Sequence, residues 1–129
     1  MPTARSVTTD QAPAAIGPYS QAVIAGDFVF VSGQIPLDPA TGEIVGDSIR
    51  PQAERVFDNL AAVLAAAGSS LNRAVKAEVF LKDINDFAVL NEVFAERFVG
   101  DSLPARQAIE ASRLPKDALV EISCIAVCG

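Results

Sequence analysis

The chain has 129 residues, 50% of them apolar and 20% charged, and sixteen acidic against ten basic side chains leave a net charge of −6. That size gives one domain, residues 1–129, and the composition excludes intrinsic disorder, while the negative balance argues against nucleic acid or an anionic membrane as partner. There is no histidine, which removes Ser-His-Asp and Cys-His nucleophile systems and His-based zinc sites and leaves acid–base work to a carboxylate, Tyr19, a lysine or bound water.

The first six residues carry no apolar run behind their charge, so no secretory signal is expected, and the protein is read as soluble and cytoplasmic. Ala22 to Ser32 reads as a β-hairpin, because Ala22-Val23-Ile24 and Phe28-Val29-Phe30-Val31 flank Gly26-Asp27, a pair suited to a primed turn. Pro36, Asp38-Pro39 and Thr41-Gly42 make residues 33–46 a loop. Ala53, Val56, Phe57, Leu60, Val63, Leu64 and Ala67 then form one apolar stripe at a period of 3.6, a helix. Asp47 or Ser48 can cap it, Pro51 is tolerated in its first turn, and Gly68 stops it. The uninterrupted apolar run Leu60 to Ala67 covers less than half a bilayer.

Ala74 to Lys82 alternates as a strand, and Asp83 or Asn85 caps a second helix with Phe87, Leu90, Phe94 and Phe98 on one face, expected to end at Gly100. Ala105 to Glu110 and Leu119 to Val127 are two further strands joined through Pro115-Lys116-Asp117. Cys124 and Cys128, four residues apart on that last strand, stand roughly 13 Å from one another, too far for a disulfide, and read as free thiols. Two one-sided helices and a mixed sheet of five or six strands predict an α+β two-layer sandwich with both helices on one face. The other face is left partly apolar by Phe80, Ile125 and Val127, which predicts a homo-oligomer.

Three local features could carry chemistry. Arg106, among small and apolar neighbours on a short strand, offers a planar fork that matches a carboxylate; spacing equally allows an edge-strand ion pair with Glu110, and favours it. Glu121 opens an otherwise apolar run and could hold or activate water if buried, or be a solvated residue of an edge strand, the reading its pattern favours. Tyr19 precedes the hairpin and Ser32-Gly33 ends it, so they could share one end of the sheet as the rim of a small-molecule site, or be ordinary turn residues. Asn91 reads as a helix-surface amide. No dinucleotide, P-loop, zinc-protease or nucleophile-elbow motif is present.

Four segments in order, Ala12 to Ala22 (with Gly17-Pro18-Tyr19-Ser20-Gln21), Phe30 to Pro36, Val79 to Phe87, and Pro104-Ala105-Arg106 followed by Arg113 to Asp117 and Val120-Glu121-Ile122, resemble the Rid (YjgF) family of reactive intermediate deaminases over nearly the whole chain. The resemblance implies a chorismate-mutase-like sandwich assembled as a homotrimer, with clefts between subunits. It implies hydrolysis of 2-iminobutanoate and 2-iminopropanoate, or the parent enamines, released by pyridoxal-phosphate serine/threonine dehydratases, to 2-oxo acids and ammonia, with no metal or cofactor. It assigns Arg106 to the substrate carboxylate, Glu121 to the attacking water, Tyr19, Ser32, Gly33 and Asn91 to the cleft, and the backbone carbonyl of Ala108 to the same water. Gln107 and Ala108 depart from the common family pattern, which has a small residue and often a cysteine there. Some relatives are described as endoribonucleases or translation inhibitors, and a non-catalytic binding or holdase module of the same fold is the remaining alternative.

Overall fold

Strands β2 (Ala22–Ala25) and β3 (Phe28–Gln34) pair antiparallel across Gly26-Asp27, with Gly26 at φ +61°, the positive dihedral that a primed hairpin turn requires. The computed structural model describes residues 3–129. A strand that sequence reading did not foresee, β1 (Ala4–Val7), adds antiparallel to β2. It is four residues long with only Val7 buried, too short and too polar to carry a periodic signal.

Helix α1 (Ile49–Ala66) follows the loop, and its stripe of Ala53, Val56, Phe57, Leu60, Val63 and Leu64 is fully buried. Ser48 stands at the N-cap position in extended conformation, but its hydroxyl caps nothing. The C-terminus closes as expected: Gly68 takes φ +78°, its N–H donates to the Ala65 carbonyl, and the Ser69 N–H donates to that of Leu64. Strand β4 (Ala74–Leu81) leads to Asp83, whose carboxylate accepts the Asn85 N–H at 2.9 Å and caps one 3₁₀ turn. Helix α2 (Phe87–Arg97) continues from that turn. It stops at Arg97, short of Gly100, because Phe98 turns extended and packs its ring 5.4 Å from Phe57 and 4.5 Å from Phe94.

Strands β5 (Ala105–Glu110) and β6 (Val120–Val127) complete a six-stranded sheet in the order β1-β2-β3-β6-β4-β5. The β4–β5 pair is parallel and the others are antiparallel, which makes the sheet mixed, as the element order predicted. Both helices cover one face, where Val29, Val31, Ala77, Val79, Leu81, Val120, Ile122 and Ala126 meet the α1 and α2 stripes. Each fully buried Leu, Val or Phe there contributes about 1.5–3 kcal/mol by leaving water, so this layer fixes the register of every strand it touches.

The opposite face has no cover from the described residues. Phe28, Phe30 and Ile109 are 42%, 45% and 49% exposed, and Phe80, Ile125 and Val127 on the same face are half-buried. The alternation of β6 therefore holds as read, with Glu121, Ser123, Ile125 and Val127 together on the open side. None of the described helices is long and apolar enough to cross a membrane.

Candidate active site

Register assigns the expected residues to two different faces. Arg106 is level with Ala77 and Ala108 with Val79, both buried under the helices, so these two β5 residues face the helical layer. Glu121 is level with Phe80, on the open face. Arg106 and Glu121 thus lie on opposite faces of the sheet, with β4 between their strands. The strand that bears Glu121 is central, between β3 and β4, and the edge position expected for it is incorrect.

The expected ion pair of Arg106 with Glu110 does not form. Glu110 instead accepts the Ile84 N–H at 3.0 Å, holding the turn before α2. Arg106 lies along α2: Nη1 donates to Asn91 Oδ1 at 2.6 Å, and the guanidinium carbon sits 5.1 Å from the Phe87 ring centroid and 4.8 Å from that of Phe94. Phe87, Asn91 and Phe94 are spaced i, i+4, i+7 and share one helix stripe. Among the described residues no carboxylate pairs with this guanidinium, whereas Arg97 and Arg113 each have one and Arg50 has three. Arg106 therefore keeps four of its five N–H donors for a ligand.

Strand β5 is a free edge of the sheet. The Ala111 N–H donates inward to the Leu81 carbonyl at 2.7 Å. Backbone direction alternates along a strand, so the amides and carbonyls of Arg106, Ala108 and Glu110 point out from the open edge. The Ala108 carbonyl is an available acceptor beside the Arg106 backbone.

On the other side, Tyr19, Ser32, Gly33 and Glu121 line one cleft of about 530 Å³, with Ile16, Ile35, Leu37, Pro115 and Lys116. The sequence expectation that Tyr19 and Ser32-Gly33 meet at one sheet end holds: Ser32 Oγ donates to the Ser20 carbonyl at 2.6 Å. Tyr19 is 52% exposed, and its hydroxyl accepts the Ile16 N–H at 3.3 Å. Glu121 lies across the bare backbone of Gly33, where a Cβ would collide with its carboxylate oxygen. Any larger residue at position 33 would have to push the Glu121 side chain aside. Burial raises the Glu121 pKa above the usual carboxylate value, and no hydrogen bond from the described residues reaches its oxygens. A half-buried carboxylate with free oxygens can hold a water molecule and accept its proton.

Several buried amides, not singled out from the sequence, shape this cleft. Gln21 accepts the Thr9 N–H at 2.7 Å and donates to the Thr9 and Pro13 carbonyls at 3.0 and 2.8 Å, fixing the segment that carries Pro13. Asn59, fully buried on α1, donates to the Ile35 and Leu37 carbonyls at 3.2 and 3.0 Å. Gln52 bridges the Gly46 carbonyl and the Leu119 N–H. Polar residues at intervals of seven on an apolar helix stripe (Gln52 and Asn59) were the available signal. Lys116 and Asp117 both take left-handed dihedrals, φ 55° and 56°, and are held there by Lys116 Nζ on the Gly42 carbonyl and by Arg113 on the Asp117 carboxylate. Cys124 and Cys128 are buried free thiols, and burial pushes Cys124 up to about 12.

The sequence model of the family described as Endoribonuclease L-PSP matches residues 9–128. A RutC family protein of Pyrococcus horikoshii is 58% identical over 120 residues, covering 93% of this chain and 94% of that one. A 2-iminobutanoate/2-iminopropanoate deaminase of Escherichia coli is 45% identical over 125 residues, covering 95% of this chain and 97% of that one. A crystal structure of a Rid family protein from Yersinia pestis superposes with a TM-score of 0.94 at 42% identity, covering 97% of this chain and 99% of that one. Sequence and fold agree, over almost the full length of both partners in each comparison, that the chain belongs to the Rid (YjgF) family.

Proposed function

We propose that this protein is a 2-iminobutanoate/2-iminopropanoate deaminase, acting in the cytoplasm on imines and enamines that pyridoxal-phosphate serine/threonine dehydratases release. The observation that carries the reading is the Arg106 guanidinium, oriented by Asn91 and unpaired with any carboxylate. It matches the carboxylate of a 2-imino acid, the class named for the Escherichia coli relative.

A single chain displays Arg106 and Glu121 on opposite faces, so the working site needs Arg106, Asn91 and the Ala108 carbonyl from one copy and Tyr19, Ser32, Gly33 and Glu121 from another. The uncovered apolar face supplies the surface for that assembly, a homotrimer with its sites between subunits. Arg106 grips the substrate carboxylate in two charge-assisted hydrogen bonds and fixes C2. Glu121 and the Ala108 carbonyl hold water against C2 of the protonated imine. Attack forms the C2–O bond as Glu121 takes the water's proton. Glu121 then returns that proton to the nitrogen of the carbinolamine. The C–N bond breaks, the hydroxyl proton is released as C=O forms, and the products are the 2-oxo acid and ammonium. The imine carbon is electrophilic as it stands, so the lack of histidine is no handicap.

The test is imine decay after threonine dehydratase, followed in the presence of this protein. Wild-type protein shortens the imine lifetime and Arg106→Ala slows that turnover at least ~100-fold, with Arg106→Lys recovering little because a point charge lacks the fork. An unimpaired Arg106→Ala protein sinks the assignment. RNA cleavage, the activity in the family's descriptive name, finds less support on this surface: net charge is −6, and three of the arginines are already ion-paired.

A further inference from the structure

We propose that Phe87 is a positioning residue for Arg106, forming with Phe94 an aromatic slot that sets the guanidinium for its ligand; this rests on the deaminase reading of the same site. A surface arginine samples many rotamers, and each must be given up when it grips a carboxylate with two parallel bonds. Here the rotamer is selected before any ligand arrives. Phe87 and Phe94 stand two helical turns apart on α2, about 10 Å along its axis, and the Arg106 guanidinium carbon lies within 5.1 Å of one ring and 4.8 Å of the other. Asn91, between them on the same stripe, takes Nη1 at 2.6 Å. The ring faces attract the cation without competing for its N–H donors, which a carboxylate would do.

The two rings are not equivalent. Phe94 is a core residue, edge-on to Phe57 at 5.8 Å, and holds the fold as well as the slot. Phe87, the first residue of α2, is only partly buried: it packs at the margin of the core and makes no aromatic pair with Phe57, Phe94 or Phe98. Packing at that margin leaves its contact with Arg106 unexplained. The helix stripe i, i+4, i+7 thus gives both rings to the slot, with Phe94 the deeper of the two in the core.

The experiment compares wild type, Phe87→Leu, Phe87→Tyr and protein carrying pentafluorophenylalanine at position 87, a ring of similar size whose face no longer attracts cations. Calorimetric dissociation constants for 2-oxobutanoate and KM for 2-iminobutanoate are measured together with Tm. We expect Phe87→Leu and the fluorinated ring to weaken both constants about five-fold, and Phe87→Tyr to restore them. In ligand-free protein we expect the Arg106 side-chain proton resonances to be shifted upfield by the rings, and Phe87→Leu to reduce that shift. Leucine or fluorinated protein that binds like wild type, tyrosine that fails to restore binding, or an Arg106 resonance at its random-coil position overturns the proposal. The fluorinated protein decides the matter if the leucine variant does not fold. Wild-type protein that neither binds 2-oxobutanoate nor shortens imine lifetime sinks the deaminase reading instead, and the ligand-free Arg106 resonance still decides the slot.

Discussion

The helix-side slot around Arg106 and the open-side cleft around Glu121 solve opposite electrostatic problems. In the slot a guanidinium lies against two ring faces and one neutral amide, with no carboxylate among the described residues paired to it. In the cleft a carboxylate lies against a glycine backbone with no hydrogen bond from the described residues, and its burial raises its pKa. Each half is unsatisfied in a way the other would relieve, yet the sheet of one chain holds them apart. Two complementary, incomplete charges on opposite faces are the arrangement that the proposed site between copies would join.

The sharpest way to break that comparison is subunit mixing. Arg106→Ala and Glu121→Gln proteins are each expected to be inactive, and under the proposed shared site, with one residue drawn from each of two copies, co-refolding equal amounts should restore about a quarter of wild-type activity. No recovery means that both residues act within one chain. Next in size is Gly33→Ala, whose methyl displaces the Glu121 carboxylate. Activity is expected to collapse while urea melts show a loss of about 1–3 kcal/mol.

Asn59→Ala leaves the Leu37 carbonyl without its donor and the Ile35 carbonyl with the Leu37 N–H alone, at about 1–3 kcal/mol of stability. Its effect should fall on the cleft and leave ligand-free Arg106 resonances unchanged, which sharpens the independence of the two regions. On stability, as distinct from activity, Glu121→Gln gives a smaller and pH-dependent effect. A carboxyl whose folded pKa is raised binds more protons folded than unfolded, so stability is lost as pH rises from the ordinary carboxylate value through the raised one. The glutamine variant should therefore melt higher than wild type above that window and converge with it below. Smallest of all, Cys124 should resist a thiol reagent at pH 8 until the protein unfolds, because burial holds its pKa at about 12.

Residues whose role is local were legible in the chain. The α1 stripe, the Gly26-Asp27 turn, the Gly68 stop and the β5 boundaries follow from periodicity and backbone sterics, which act over a few residues. The β1 strand was not legible, since four mostly exposed residues become a strand only because β2 offers an edge to pair with. The end of α2 at Arg97 was missed for a related reason: burial of the Phe98 ring against Phe57 outweighs the helical pattern up to Gly100.

The site divides along the same line. Arg106, Glu121, Tyr19, Ser32, Gly33 and Asn91 could be picked out as candidates by residue type and by family likeness, but spacing alone favoured pairing Arg106 with Glu110, two residues along the same strand. What decided otherwise was α2, which brings Asn91 and two phenylalanines to Arg106 from 12 to 19 positions away, and the Ile84 amide, which occupies Glu110. Composition and periodicity by themselves determined the helices, most of the strands and the absence of histidine chemistry, because those depend on neighbours in the chain. Which face each charge takes, and hence which groups can meet, was settled only by strand order and register, because a sheet joins residues that the sequence keeps far apart.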